Sequence, residues 1–256
     1  MDAAPMSPPP PEGAPPEPSS LTDRLTNVIT APGQVFEEIK TAPVRASNWL
    51  VPLLLACIAT VVYINIAFSQ PAVFRDMQQQ REKAVQKRVA AGKMTQAEAD
   101  QAAAVAEKYM TPAILKIFGS GGAVLTSVAG LFLMGVAIWL ALKCCTAVRL
   151  NYMKVVEICG LALLIDVPQK ILRGFLVLWK ENLLATASPT LFLANPSTTN
   201  KADVFLSMID VVDFWWLAVL SLGVSRVASI RYRTAAFITF GVWYGFRVVV
   251  ALLTPS

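Results

Sequence analysis

Residues 46–74 read ASNWLVPLLLACIATVVYINIAFSQPAVF, and residues 117–142 read IFGSGGAVLTSVAGLFLMGVAIWLAL. Neither stretch contains an Asp, Glu, Lys or Arg. A helix needs about 20 apolar residues to cross roughly 30 Å of hydrocarbon, and both runs exceed that length. The composition points the same way: 55% of the 256 residues are hydrophobic, 15% are charged and the mean hydropathy is +0.54. A soluble domain carries about 25% charged residues. The chain therefore reads as an all-α, polytopic helical membrane protein.

Five spans are predicted, over 49–68, 122–142, 155–178, 206–227 and 235–253. Pro168 is expected to break the third, because it removes a backbone donor and clashes with the preceding turn. Between the first two spans, residues 69–121 hold eight basic and five acidic side chains. Within this stretch Thr95-Gln96-Ala97-Glu98 has the form of a capping box feeding an alanine-rich run. Ala91-Gly92 divides it, so an extramembrane helical hairpin is expected there. Gly119-Ser120-Gly121-Gly122 lacks both the preceding strand and the Lys-Ser/Thr ending of a phosphate loop, and reads as a turn into the second span.

Three regions precede or make up the membrane part. Residues 1–20 hold eight prolines and no aromatic residue, which predicts a disordered tail without the basic and apolar regions of a signal peptide. Residues 21–45 form an amphipathic interfacial segment: Ser20 can cap a helix on which Leu21, Leu25, Val28 and Ile29 share a face, and a second turn gathers Val35, Phe36 and Ile39. Such a segment lies on the bilayer surface or packs on the membrane domain. Residues 46–256 form that domain.

Histidine is absent, which removes the Ser-His-Asp triad, the HExxH zinc site and the histidine proton shuttle. The four cysteines have no CxxC spacing. No metal site, no cofactor and no enzymatic activity are expected. No basic stripe with interleaved aromatics suggests nucleic acid.

Short-loop basic residues set the orientation. Lys143, Arg149 and Lys154 follow the second span, and Arg226, Arg231 and Arg233 follow the fourth. This predicts a cytoplasmic N-terminus and an outer C-terminus. Six charges then fall inside spans, where they are costly. Asp166, Lys170 and Arg173 share one helix face at i, i+4 and i+7. Asp210 and Asp213 lie in the fourth span and Arg247 in the fifth. Balanced in sign and similar in depth, they are expected to pair across spans three to five, either fixing helix packing or lining an ion or substrate pathway. Glu157, three residues after Lys154, reads as a snorkelling pair at the inner edge. Gly241 and Gly245 form a GxxxG that admits a close neighbouring helix, from the same chain or a second copy.

Ile209-Asp210-Val211-Val212-Asp213-Phe214-Trp215, the apolar stretch to Gly223, Ser225-Arg226, Ser229, Thr234-Ala235-Ala236 and Trp243 together resemble the closing helices of the Yip (Ypt-interacting protein) domain family, particularly its bacterial members. Pro32, Phe36, Ile39, Pro43, Trp49 and Pro52 are similar to its opening. Asp213, the doubled Trp215-Trp216 and the 69–121 insertion depart from the common pattern. The resemblance implies five spans and a cytoplasmic N-terminus. Eukaryotic members bind Rab-type GTPases in vesicle budding, an activity that a bacterial relative need not share. The expected function is that of a non-enzymatic scaffold or organiser contacting membrane lipid and protein partners, with self-association open. The alternative is a small transporter or channel using the six charges.

Overall fold

The computed structural model of the protein describes residues 19–193, 196 and 200–253, with side chains through Val250. The proline-rich tail expected over 1–20 lies, apart from its last two residues, outside the described residues. Among these there is no strand; the chain is a succession of helices. Helices α1 (Leu21–Thr30) and α2 (Pro32–Thr41) precede the long apolar α3 (Ser47–Ala67). Two polar helices follow, α4 (Pro71–Ala90) and α5 (Gln96–Tyr109), and then α6 (Pro112–Cys145). Helices α7 (Tyr152–Leu163), α8 (Asp166–Lys180), the short α9 (Lys201–Ser207), α10 (Val211–Ala228) and α11 (Tyr232–Leu253) complete the fold.

Each start has a local cause. Ser20 and Thr95 close capping boxes with Asp23 and Glu98, and Thr111 accepts the Ile114 N–H ahead of Pro112 at the first helical position. Three helices, α3, α6 and α10, are long and apolar enough to cross a membrane. Helix α6 has 34 residues, which at about 1.5 Å per residue makes it far longer than hydrocarbon requires.

Several sequence expectations change here. Residues 119–122 do not turn; they lie inside α6, because the strong cap at Thr111 starts the helix ten residues upstream. The third segment is two helices, but they part at Leu164 and Ile165, not at Pro168. Pro168 falls in the first turn of α8, where a missing N–H costs nothing because that N–H has no intrahelical acceptor. The fourth apolar helix starts at Val211 rather than 206, since the Asp210 side chain caps it by accepting the Val212 N–H at 2.9 Å.

Helix α7 is the centre of the packing. Every residue from Lys154 to Ala162 is buried, and α3, α6 and α10 surround it. A helix buried on all sides is expected to be mostly apolar, which Val155, Val156, Ile158, Leu161 and Ala162 supply, with Lys154 and Glu157 as the polar exceptions. Helix α2 lies against α10 with Phe36 fully enclosed, and Val28 of α1 is equally buried. Leu21 and Leu25 are half-buried, while Ile29 is exposed. The N-terminal segment thus packs on the bundle.

Glycines permit the closest approaches. A Cβ on Gly160 of α7 would fall on Trp49 Cα and Cβ of α3, and one on Gly223 would sit 2.7 Å from Ile158 Cγ2 and 2.8 Å from the Phe36 ring. The GxxxG of α11 behaves differently. Gly241 and Gly245 are exposed, and an added Cβ meets nothing within 4 Å, so no helix among the described residues packs there. The inward contacts of α11 come from its earlier turns: Ala235, Ile238 and Thr239 are buried, with the Thr239 and Ser221 hydroxyls hydrogen-bonded at 2.6 Å.

These contacts predict a sharp contrast. Gly160→Ala should destabilise the bundle by about 3 kcal/mol, at the upper end of overpacking costs. Gly241→Ala should leave stability within about 0.5 kcal/mol, as for a substitution that touches nothing. Thermal unfolding of both purified variants measures the difference, and equal stabilities would contradict the packing.

Candidate functional site

Helices α8, α10 and α11 converge on the six charges, and each charge meets a partner. Lys170 Nζ lies 2.9 Å from Asp166 Oδ1, one turn along α8. Arg173 Nη2 donates to Asp210 Oδ2 at 3.0 Å, tying α8 to the cap of α10. Arg247 Nη1 of α11 donates to Asp213 Oδ2 of α10 at 2.5 Å. Gln169, which the sequence did not single out, donates from Nε2 to Asp213 Oδ1 at 2.7 Å. It stands one turn after Asp166, on the polar face of α8, and that spacing was its only signal.

The pairs are sorted by depth. The Asp210 and Asp213 side chains are 1% and 8% exposed, against 22% and 24% for Arg173 and Arg247. The carboxylates point into the bundle while their cations stand nearer the open side. A cavity of about 390 Å³ lies there, walled by Asp166, Lys170, Arg173, Asp213, Trp243 and Arg247, with Gln169 and apolar residues completing it. Pro168 supplies none of its lining. Among the described residues no group of three or more Asp, Glu or Cys side chains is placed to hold a metal.

A second polar assembly is wholly internal. Glu157 is fully buried and Lys154 nearly so, correcting the expectation of a pair snorkelling at an edge. Glu157 Oε1 accepts from Asn48 Nδ2 at 2.7 Å and from the Arg45 backbone N–H at 3.1 Å. Oε2 lies 2.6 Å from Lys154 Nζ, its one polar neighbour. Lys154 Nζ also donates to the Ile39 and Ala42 carbonyls, at 2.9 Å each, where the end of α2 leaves acceptors unpaired and the helix dipole favours a cation. Asn48 Oδ1 accepts from Arg24 Nη1 at 3.3 Å, and Arg24, itself buried, holds Glu38 at 2.8 Å. A chain of polar contacts thus runs from α1 through α2 and α3 to the middle of α7. The sequence offered one clue, two ionisable residues opening an otherwise apolar run.

A helical bundle with three membrane-capable helices, cross-helix ion pairs and an N-terminal segment locked onto it defines a polytopic α-helical membrane protein. The Yip1 domain family model matches residues 26–253, nearly the whole chain. The chain belongs to the Yip1 domain family. No curated protein and no solved structure matches it significantly.

Proposed function

We propose that this protein is a non-enzymatic organiser of partners in the membrane, with α4 and α5 as its docking arm. One observation carries the reading: these two helices are polar and mostly exposed, yet ordered. Along α5 only Ala99 and Ala106 are buried, and along α4 only Val73, which packs at the root of the arm with Ala67 and Val177. A helical arm with so little of its surface engaged is suited to engaging something else. The arm is held at its turn by Gly92, whose φ of +66° suits glycine, and by the Thr95 capping box.

The membrane frame of this proposal has five crossings. Helices α3, α6, α10 and α11 each span, the consecutive α7 and α8 share one crossing, and α4 and α5 form a hairpin outside the bilayer. The N-terminus is cytoplasmic and the C-terminus external, in a bacterial inner membrane. Lys143, Arg149, Arg226, Arg231 and Arg233 support that orientation; Lys154, buried against α2, no longer counts as a loop charge. A reporter fused after Ser256 should be active only outside, and a cytoplasmic signal would reverse the topology.

The charge-lined cavity favours a second reading, a small transporter or channel. Replacing residues 71–109 by a short flexible linker separates the two. An organiser loses its reproducible co-purifying proteins, while the remaining bundle stays folded and vesicles containing the intact protein pass no ions. Flux through those vesicles, with capture unaffected by loss of the arm, would establish transport instead.

A further inference from the structure

We propose that the cavity between α8, α10 and α11 is a binding site for the phosphate group of an anionic phospholipid. Five charged side chains line it, and three are cations: Lys170, Arg173 and Arg247. Its size falls within the roughly 300–1,000 Å³ of ligand sites. Charge balance across the full cluster hides an asymmetry in what a ligand would meet. Asp213 uses one oxygen for Gln169 and the other for Arg247, and Asp210 uses one for the Val212 N–H and the other for Arg173. Both carboxylates are turned inward.

The cations are less committed. A guanidinium has five donors and an ammonium three. Arg173 and Arg247 each give one to a carboxylate, and Lys170 gives one to Asp166. Arg173 Nε and Trp243 Nε1, both on cavity-lining residues, are buried without an acceptor among the described residues. Buried donors are nearly always satisfied, so two orphans on residues of α8 and α11 that line one cavity point to a missing acceptor. The complement is a group rich in acceptor oxygens and negatively charged, for which arginine forks are well shaped.

The rim selects a lipid over a free anion. Phe246 and Val250 line the same cavity and are 64% and 46% exposed, a lipophilic border running along α11 directly from the charged floor. A headgroup would sit among the cations with its acyl chains on Phe246 and Val250. The site uses no residue of the α4–α5 arm, so it stands or falls apart from partner docking.

Delipidated full-length protein in non-ionic detergent, titrated with short-chain phosphatidylglycerol or phosphatidylcholine and read by native mass spectrometry, tests this. Phosphatidylglycerol should bind at least about tenfold more tightly, because phosphatidylcholine carries the same phosphate but adds a quaternary ammonium that the lining cations repel. Lys170→Gln should reduce that affinity about tenfold, and Lys83→Gln on the exposed face of α4 should leave it unchanged. Trp243→Phe serves as the second variant because it removes an N–H that bonds nothing among the described residues; it should weaken binding several-fold without loss of folding. Inorganic phosphate at millimolar concentration should not displace the lipid. Equal binding of the two lipids, binding unchanged in both Lys170→Gln and Trp243→Phe, or displacement by inorganic phosphate would each overturn the lipid site, the last assigning it to a free oxyanion.

Discussion

The ion pair of Lys154 and Glu157 lies in the first half of α7, the helix that α3, α6 and α10 surround. Burying two charges costs several kcal/mol each unless other hydrogen bonds complete their environment. Here the completing groups come from three other places: the end of α2, the Arg45 backbone and Asn48 of α3. The pair is therefore tolerable only when the N-terminal segment is seated. Burial of Val28, Val35, Phe36 and Ile39 against the core supplies the hydrophobic part of the same contact, on the order of 1.5–3 kcal/mol for each large side chain. Apolar burial gives the docking its strength and the ion pair gives it register.

That division explains what could be read from the sequence and what could not. Membrane character followed from the uninterrupted runs at 46–74 and 117–142, because run length in hydrocarbon is a one-dimensional property. The Thr95 capping box and the Ser20 cap were legible for the same local reason, their partners Glu98 and Asp23 lying within one turn, though that Asp23 closes a box with Ser20 came from the structure. The break before α8 was misplaced because proline is destructive only after the first turn, and the start of that turn was set by tertiary packing. The depth of Lys154 and Glu157 could not be read, since their partners lie more than 100 residues away along the chain. Likewise, GxxxG spacing at Gly241 and Gly245 says that close approach is allowed, not that a helix is present.

The outer charge cluster obeys a different logic from the inner one. Around Glu157, Oε1 and the Lys154 ammonium reach α3, the Arg45 backbone and the end of α2, and the result is a joint. Around Asp213 and Arg173 the carboxylates are satisfied, the cations keep spare donors and a cavity remains. The first arrangement ties elements together; the second has capacity left for a ligand. Two sets of paired charge in one small bundle thus serve different ends, and the sequence, which marked the six residues of the cavity cluster by their rarity, placed the buried pair at an edge.

The most direct test of this account is hydrogen exchange in the N-terminal segment of Glu157→Gln, measured by mass spectrometry on protein in lipid nanodiscs. The substitution keeps the size of the side chain but leaves the Lys154 ammonium buried without a counter-charge, a loss of about 3–5 kcal/mol for a buried pair. The account predicts that residues 28–39 exchange much faster while α6 and α10 stay protected. Unchanged protection of 28–39 in a folded variant would contradict it.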